Sequence, residues 1–172
     1  MADLPHVYLA HGASGSAISM RPHVEGLRAR GVAASAVQLP KGRVERAIPV
    51  YAAAIADDPS PVIGGHSFGG RVASLLAAEQ PVRGLILLSY PLHRPGGPET
   101  WDERTAHWAS IGCPVLVLSG ESDPFARIPL LRLAVQRLAR AELVTYPGVG
   151  HGIGPVLEDA LDRIEAFVRS LG

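Results

Sequence analysis

The sequence predicts an α/β protein built on one parallel sheet of about six strands with helices on both faces. Short β-branched apolar runs alternate with longer amphipathic segments, a rhythm of strand, helix, strand, helix. Several of the short runs, above all Leu85-Ile86-Leu87-Leu88, are apolar at every position rather than at every second one. A strand with one solvated face alternates, so continuous apolarity marks strands covered on both sides, as in a parallel sheet. Right-handed crossovers then place helices on both faces, and chemistry belongs in the loops beyond the carboxyl ends of the strands.

The elements follow in order. Strands are expected at Val7 to Ala10, Val32 to Leu39 and Pro61 to Gly64. Gly70 to Gln80, with Val72, Leu75, Leu76 and several alanines, reads as the helix after the third strand. A fourth strand spans Val82 to Ser89 and a fifth Val115 to Ser119. Between them, residues 90–114 leave room for a rim with a short helix-like piece but not for a large lid. In that piece Trp101 and Trp108 are seven apart, a spacing that places both on one helical face for core packing. Ile128, Leu131, Val135 and Leu138 share one helical face, Leu143 to Tyr146 is the sixth strand, and Leu157, Leu161, Ile164, Phe167, Val168 and Leu171 mark the last helix.

Composition removes several function classes. Of the 172 residues 47% are hydrophobic and 19% charged, which suits a single globular domain over 1–172 rather than a disordered chain. Sixteen basic residues balance sixteen acidic ones without a Lys/Arg run, so no nucleic-acid partner is expected. No apolar run approaches a membrane span and the first residues lack a signal-peptide pattern; together with the single cysteine, Cys113, this points to a cytoplasmic protein without a membrane partner. The Gly148-Val149-Gly150-His151-Gly152-Ile153-Gly154 string misses the dinucleotide register, and neither a phosphate-binding loop nor a zinc motif is present. No cofactor and no metal are expected.

The chemistry concentrates in Gly65-His66-Ser67-Phe68-Gly69, which fits G-x-S-x-G. In a chain of this composition such a match arises by chance about 0.14 times, so its context decides. It lies between a predicted strand and a predicted helix, the setting that holds a nucleophilic serine on a strained turn, with glycines where side chains would collide. Ser67 then needs a base, itself oriented by an acid. Gly148 to Gly152 follows the sixth strand and supplies His151; the loop after the fifth strand supplies Asp123, with Glu121 as its rival. Backbone N–H groups of Phe68 and of Ala13, in the loop after the first strand, are the expected oxyanion donors. Gly12, Tyr90 and His93 are further candidates for substrate contact.

From His11-Gly12 to His151 the sequence resembles the α/β-hydrolase superfamily. Within it the chain is similar to a small group that includes testis-expressed protein 30 and the hydrolase-like domain of a chromatin NSL-complex subunit. The strings that carry this are Gly65-His66-Ser67-Phe68-Gly69-Gly70-Arg71-Val72-Ala73-Ser74, Tyr90-Pro91-Leu92-His93 and Asp123-Pro124-Phe125. The resemblance implies a minimal, lidless α/β-hydrolase fold and places the acid before Pro-Phe, hence at Asp123. The resulting expectation is a serine hydrolase acting on small esters or thioesters through an acyl-enzyme, as monomer or homodimer. Two alternatives stand beside it: an acyltransferase or perhydrolase using the same serine, and a non-catalytic interaction module on a hydrolase scaffold. Of the remaining histidines, His11 and His66 are expected to make local hydrogen bonds and His107 to lie in the rim. Arg71, one turn beyond Ser67, reads either as a ligand for a substrate carboxylate or as one half of a structural ion pair.

Overall fold

The computed structural model describes residues 3–172. Its strands β1 (Val7–Ala10), β2 (Ala34–Val37), β3 (Val62–His66), β4 (Gly84–Leu88), β5 (Val115–Gly120) and β6 (Ala141–Tyr146) form one sheet in the order β2-β1-β3-β4-β5-β6. Every neighbouring pair is parallel. The expected strands are all present; β2 is shorter, because Val32 and Leu39 are buried but lie outside the ladder.

The continuous apolar runs divide by parity. Ile63, Leu85, Leu87, Val115 and Val117 point into one core, while Val62, Ile86, Leu88, Leu116 and Leu118 point into the other. Successive side chains leave a strand on opposite faces, so a run with no polar position requires a helical layer on each side. The first core is closed by α2 (Val44–Ala54), α3 (Phe68–Glu79) and α5 (Ile128–Val135), the second by α1 (Arg21–Ala29) and α6 (Leu157–Ser170).

Helices α1 and α2 were not evident in the sequence. In α1, nine residues long, only Val24 and Leu27 are buried, continuing from Met20 just before the helix. In α2 Pro49 is the sixth helical residue and has no N–H to return to the Glu45 carbonyl. That helix is held by Tyr51, whose buried hydroxyl accepts the Gly64 N–H at 2.9 Å and lies 2.8 Å from the Tyr8 carbonyl, tying β1 to β3.

The rim over residues 90–114 holds the four-residue helix α4 (Trp101–Arg104) and a following 3₁₀ turn, Ala106–Ser110. The break at Thr105 separates the two tryptophans: Trp108 is fully buried against Tyr90, whereas Trp101 stacks under the Arg137 guanidinium at 4.5 Å. No large lid is inserted. Among the described residues no helix is long and apolar enough to cross a membrane.

Candidate active site

From β1 the chain crosses to β2 on one side and then returns to β3 on the other, so strand order reverses between β1 and β3. A crevice opens at such a reversal, beyond the carboxyl ends of the strands. Here it is a cleft of about 530 Å³ whose lining includes Gly12 and Ala13 from the loop after β1 and Ser67 and Phe68 from the turn after β3. A depression of similar size, about 490 Å³, lies at the opposite ends of β4 and β5 and includes Val82 and Pro114 but none of these residues.

Ser67 has φ 49° and ψ −116°, a conformation costing a non-glycine residue of order 1–3 kcal/mol. Its surroundings impose it. The Ser67 N–H donates to the Leu88 carbonyl at 2.8 Å and its carbonyl accepts the Arg71 N–H at 3.0 Å, so the residue is pinned to β4 and to the first turn of α3. The turn is as tight as backbone allows: a Cβ on Gly65 would lie 2.5 Å from the Ala10 carbonyl oxygen, and one on Gly69 2.4 Å from the same atom.

The serine Oγ lies 2.8 Å from His151 Nε2, and His151 Nδ1 lies 2.8 Å from Asp123 Oδ2. A carboxylate accepts, so Nδ1 carries the imidazole proton and Nε2 is left to accept the Ser67 hydroxyl. Asp123 is buried, and its other oxygen accepts the Phe125 N–H at 2.8 Å. His151 packs against the Phe125 ring, centroids 4.4 Å apart. Glu121, the rival acid, is exposed and accepts the Thr145 hydroxyl instead. Arranged this way, the three groups can draw the proton from a serine attacking an acyl carbon and hold the resulting imidazolium. Ala13 and Phe68 border the same cleft, and among the described residues neither backbone N–H donates to a backbone carbonyl.

Two features here carried no sequence signal. His66 reaches 85 positions along the chain, its Nε2 lying 3.0 Å from the His151 carbonyl oxygen, rather than bonding locally. Burial, with the neighbouring His151 ring adding to it, holds the His66 pKa below its ordinary value although the carbonyl bond opposes this; the neutral ring therefore carries its proton on Nε2. Gly120 is the second: a Cβ there would lie 2.1 Å from the Val149 carbonyl oxygen, so only glycine lets the His151 loop cross the end of β5. His11 does bond locally, through Nδ1 to the Gly12 carbonyl, and its Nε2 accepts the Leu39 N–H at 3.0 Å.

Tyr90 and His93, expected as substrate contacts, are both about 1% exposed and lie outside the cleft lining, where Pro91 stands instead. The Tyr90 hydroxyl donates to the Arg104 carbonyl at 2.7 Å, and His93 Nε2 accepts the Arg127 N–H at 3.0 Å. Both side chains brace the rim from beneath. Gly12, by contrast, borders the cleft.

Solved structures of the same shape are numerous. The monoacylglycerol lipase of Paleococcus ferrophilus matches with a TM-score of 0.85 at 16% identity, over 98% of this chain and 96% of that one. Est1E from Butyrivibrio proteoclasticus matches at 0.82 and 19% identity, over 98% and 88%. A thioesterase domain from the curacin biosynthetic pathway matches at 0.75 and 16% identity, over 96% and 91%. At such identities these likenesses speak for the fold. Residues 36–161 match the family described as an alpha/beta hydrolase domain, and the chain belongs to that family.

Proposed function

We propose that the protein is a serine hydrolase that cleaves small esters or thioesters through an acyl-enzyme. The observation that carries this reading is the unbroken chain from Ser67 Oγ through the His151 ring to the buried Asp123 carboxylate, 2.8 Å at each step. Ser67 Oγ attacks the acyl carbon as His151 Nε2 takes its proton, and the carbonyl oxygen becomes an oxyanion facing the N–H groups of Phe68 and Ala13. Collapse expels the alcohol or thiol, which receives the proton from His151. A water molecule then repeats the sequence on the acyl-serine and releases the acid. Preorganised donors at the oxyanion are typically worth about 10² to 10³ in turnover each.

The similar structures include a monoacylglycerol lipase and a thioesterase domain, in keeping with acyl-ester chemistry as the class. The short rim and the cleft of about 530 Å³ suit compact acyl groups better than long chains, which benefit from a buried channel. The test is intact-protein mass spectrometry after treatment with a fluorophosphonate. One adduct on the native chain, absent from Ser67→Ala and strongly slowed in His151→Ala, is the expected result; no adduct on folded native protein overturns the proposal.

A further inference from the structure

The cleft beside Ser67 contains two arginines, Arg71 and Arg104. Arg71 is the fourth residue after Ser67, one turn along α3, so its side chain rises on the face of the helix that carries the nucleophile. Elsewhere several guanidinium groups find carboxylates: Arg30 meets Glu158 and Asp162, Arg137 meets Asp102, and Arg163 meets Asp159. At the cleft they do not. Among the described residues neither Arg71 nor Arg104 has a carboxylate partner. The Arg71 Nε is buried with no hydrogen-bond partner, and Arg104 spends one N–H on the Pro91 carbonyl at 2.9 Å. Both arginines line the same cleft, and burial together with the charge of Arg71 lowers the Arg104 pKa. Of the other titratable neighbours, Glu103 acts on Arg104 as a nearby negative charge without forming an ion pair with it and Arg94 adds positive charge, while His107 is held neutral, its pKa lowered to about 4 by burial and by Arg71, and Tyr90 is pushed upward by burial.

Two unpaired cations in a partly desolvated cleft repel each other, and a buried donor without an acceptor carries a desolvation cost. A bound anion would relieve both, and a planar carboxylate matches the fork of a guanidinium. We propose that Arg71 and Arg104 form the anion subsite of the active cleft, so that the preferred substrate is an ester or thioester bearing a negatively charged group, carboxylate or phosphate, a few bonds from the scissile carbonyl. This rests on the hydrolase reading and specifies its substrate class. In the reaction the acyl C–O or C–S bond breaks, water oxygen forms the new C–O bond, and the proton passes through His151 to the leaving group; the remote anion stays unchanged.

Hydrolysis of 4-nitrophenyl hemisuccinate against 4-nitrophenyl butyrate places the anion on the acyl side; 4-acetoxybenzoate against phenyl acetate places it on the alcohol side. The expected result is a kcat/KM ratio favouring the anionic member of at least one pair by about tenfold to a hundredfold, the range for a charge-assisted hydrogen bond. The ratio should fall toward unity in Arg71→Gln and Arg104→Gln, should fall with added salt, and should be partly retained in Arg71→Lys. Ratios at or below unity in both pairs, in native protein that takes the fluorophosphonate adduct, overturn the anion subsite and leave the hydrolase reading standing. Binding of the hemisuccinate and the butyrate ester to Ser67→Ala, which needs no turnover, separates the two ideas from the other side. Tighter binding of the hemisuccinate, or of 4-acetoxybenzoate over phenyl acetate in the same measurement, lost in Ser67→Ala/Arg71→Gln, supports the subsite even without an adduct, and equal binding within both pairs overturns it.

Discussion

Replacing Asp123 with Asn changes one atom and, in this structure, should reverse the proton arrangement of the whole relay. The carboxylate has two engaged oxygens: Oδ1 accepts the Phe125 N–H and Oδ2 accepts His151 Nδ1–H, both at 2.8 Å. An asparagine in the same place has one oxygen and one NH₂. The Phe125 N–H can only be met by the oxygen, so the NH₂ is turned toward His151, where it must donate to Nδ1. The imidazole proton then moves to Nε2, the atom that has to accept from Ser67 Oγ. This orientation keeps a partner for both amide groups, whereas the reverse one would set the NH₂ against the buried Phe125 N–H and lose that bond. Loss of the correct tautomer, with geometry preserved, is worth about 10⁴ in turnover, or roughly 5.4 kcal/mol of barrier. The assay is the rate of fluorophosphonate labelling, followed by mass, with thermal melting as control. Labelling of Asp123→Asn within tenfold of native protein would refute the argument that Asp123 sets the His151 tautomer.

Other consequences can be checked by stability alone. Gly69→Ala should cost more than about 3 kcal/mol or prevent folding, because the new Cβ meets backbone oxygens of Ala10 and His11 that cannot swing aside; Gly112→Ala, with nothing within 4 Å of its Cβ, should melt within about 1 °C of native protein. Tyr51→Phe leaves the buried Gly64 N–H without its acceptor and should lower unfolding free energy by about 1–3 kcal/mol in urea titration, without change of fold. Acid should destabilise the protein through His23 and His107. Burial lowers each from 6.5 to about 4, with His66 adding to the effect on His23 and Arg71 to that on His107. Between those values the unfolded chain binds more protons than the folded one. Stability is therefore full above pH 6.5 and falls on acidification toward pH 4, by at most about 1.4 kcal/mol per pH unit for each histidine. Melting temperature against pH should flatten in that window in His23→Leu/His107→Gln, and an unchanged slope would contradict the assignment.

Much of the fold was legible because its signals are local. A strand covered on both faces has to be apolar at every position, so Leu85 to Leu88 announces a parallel sheet without reference to any partner. In such a sheet all strands end at one edge, so residues directly after strands converge even when far apart in sequence. That is why Ser67, Asp123 and His151 could be singled out, and why the structure brings these three side chains into contact across 84 positions. Glycines at 65 and 69 belong to the same local logic of a tight turn.

What stayed hidden depends on the third dimension. Helix α1 is short, with only two buried apolar residues, and α2 contains a proline; they form because a bare sheet face and the Tyr51 hydroxyl hold them there. The sequence could place Tyr90 at a strand end, but only packing against Trp108 decided that it faces inward and leaves the cleft wall to Pro91. His66 bonds the backbone of the His151 loop, a partner no local pattern could name. For Arg71 the sequence allowed either an ion pair or a place facing substrate. Whether a charged side chain is paired depends on which distant carboxylates the fold brings within ion-pair reach, and for Arg71 it brings none, leaving it with Arg104 in the lining of the nucleophile's cleft. By itself the sequence determined the sheet and the edge on which chemistry would gather, because hydrophobic periodicity and turn stereochemistry are local. The pairing of charges and the facing of side chains were decided only by tertiary structure, because both are contacts between segments far apart in the chain.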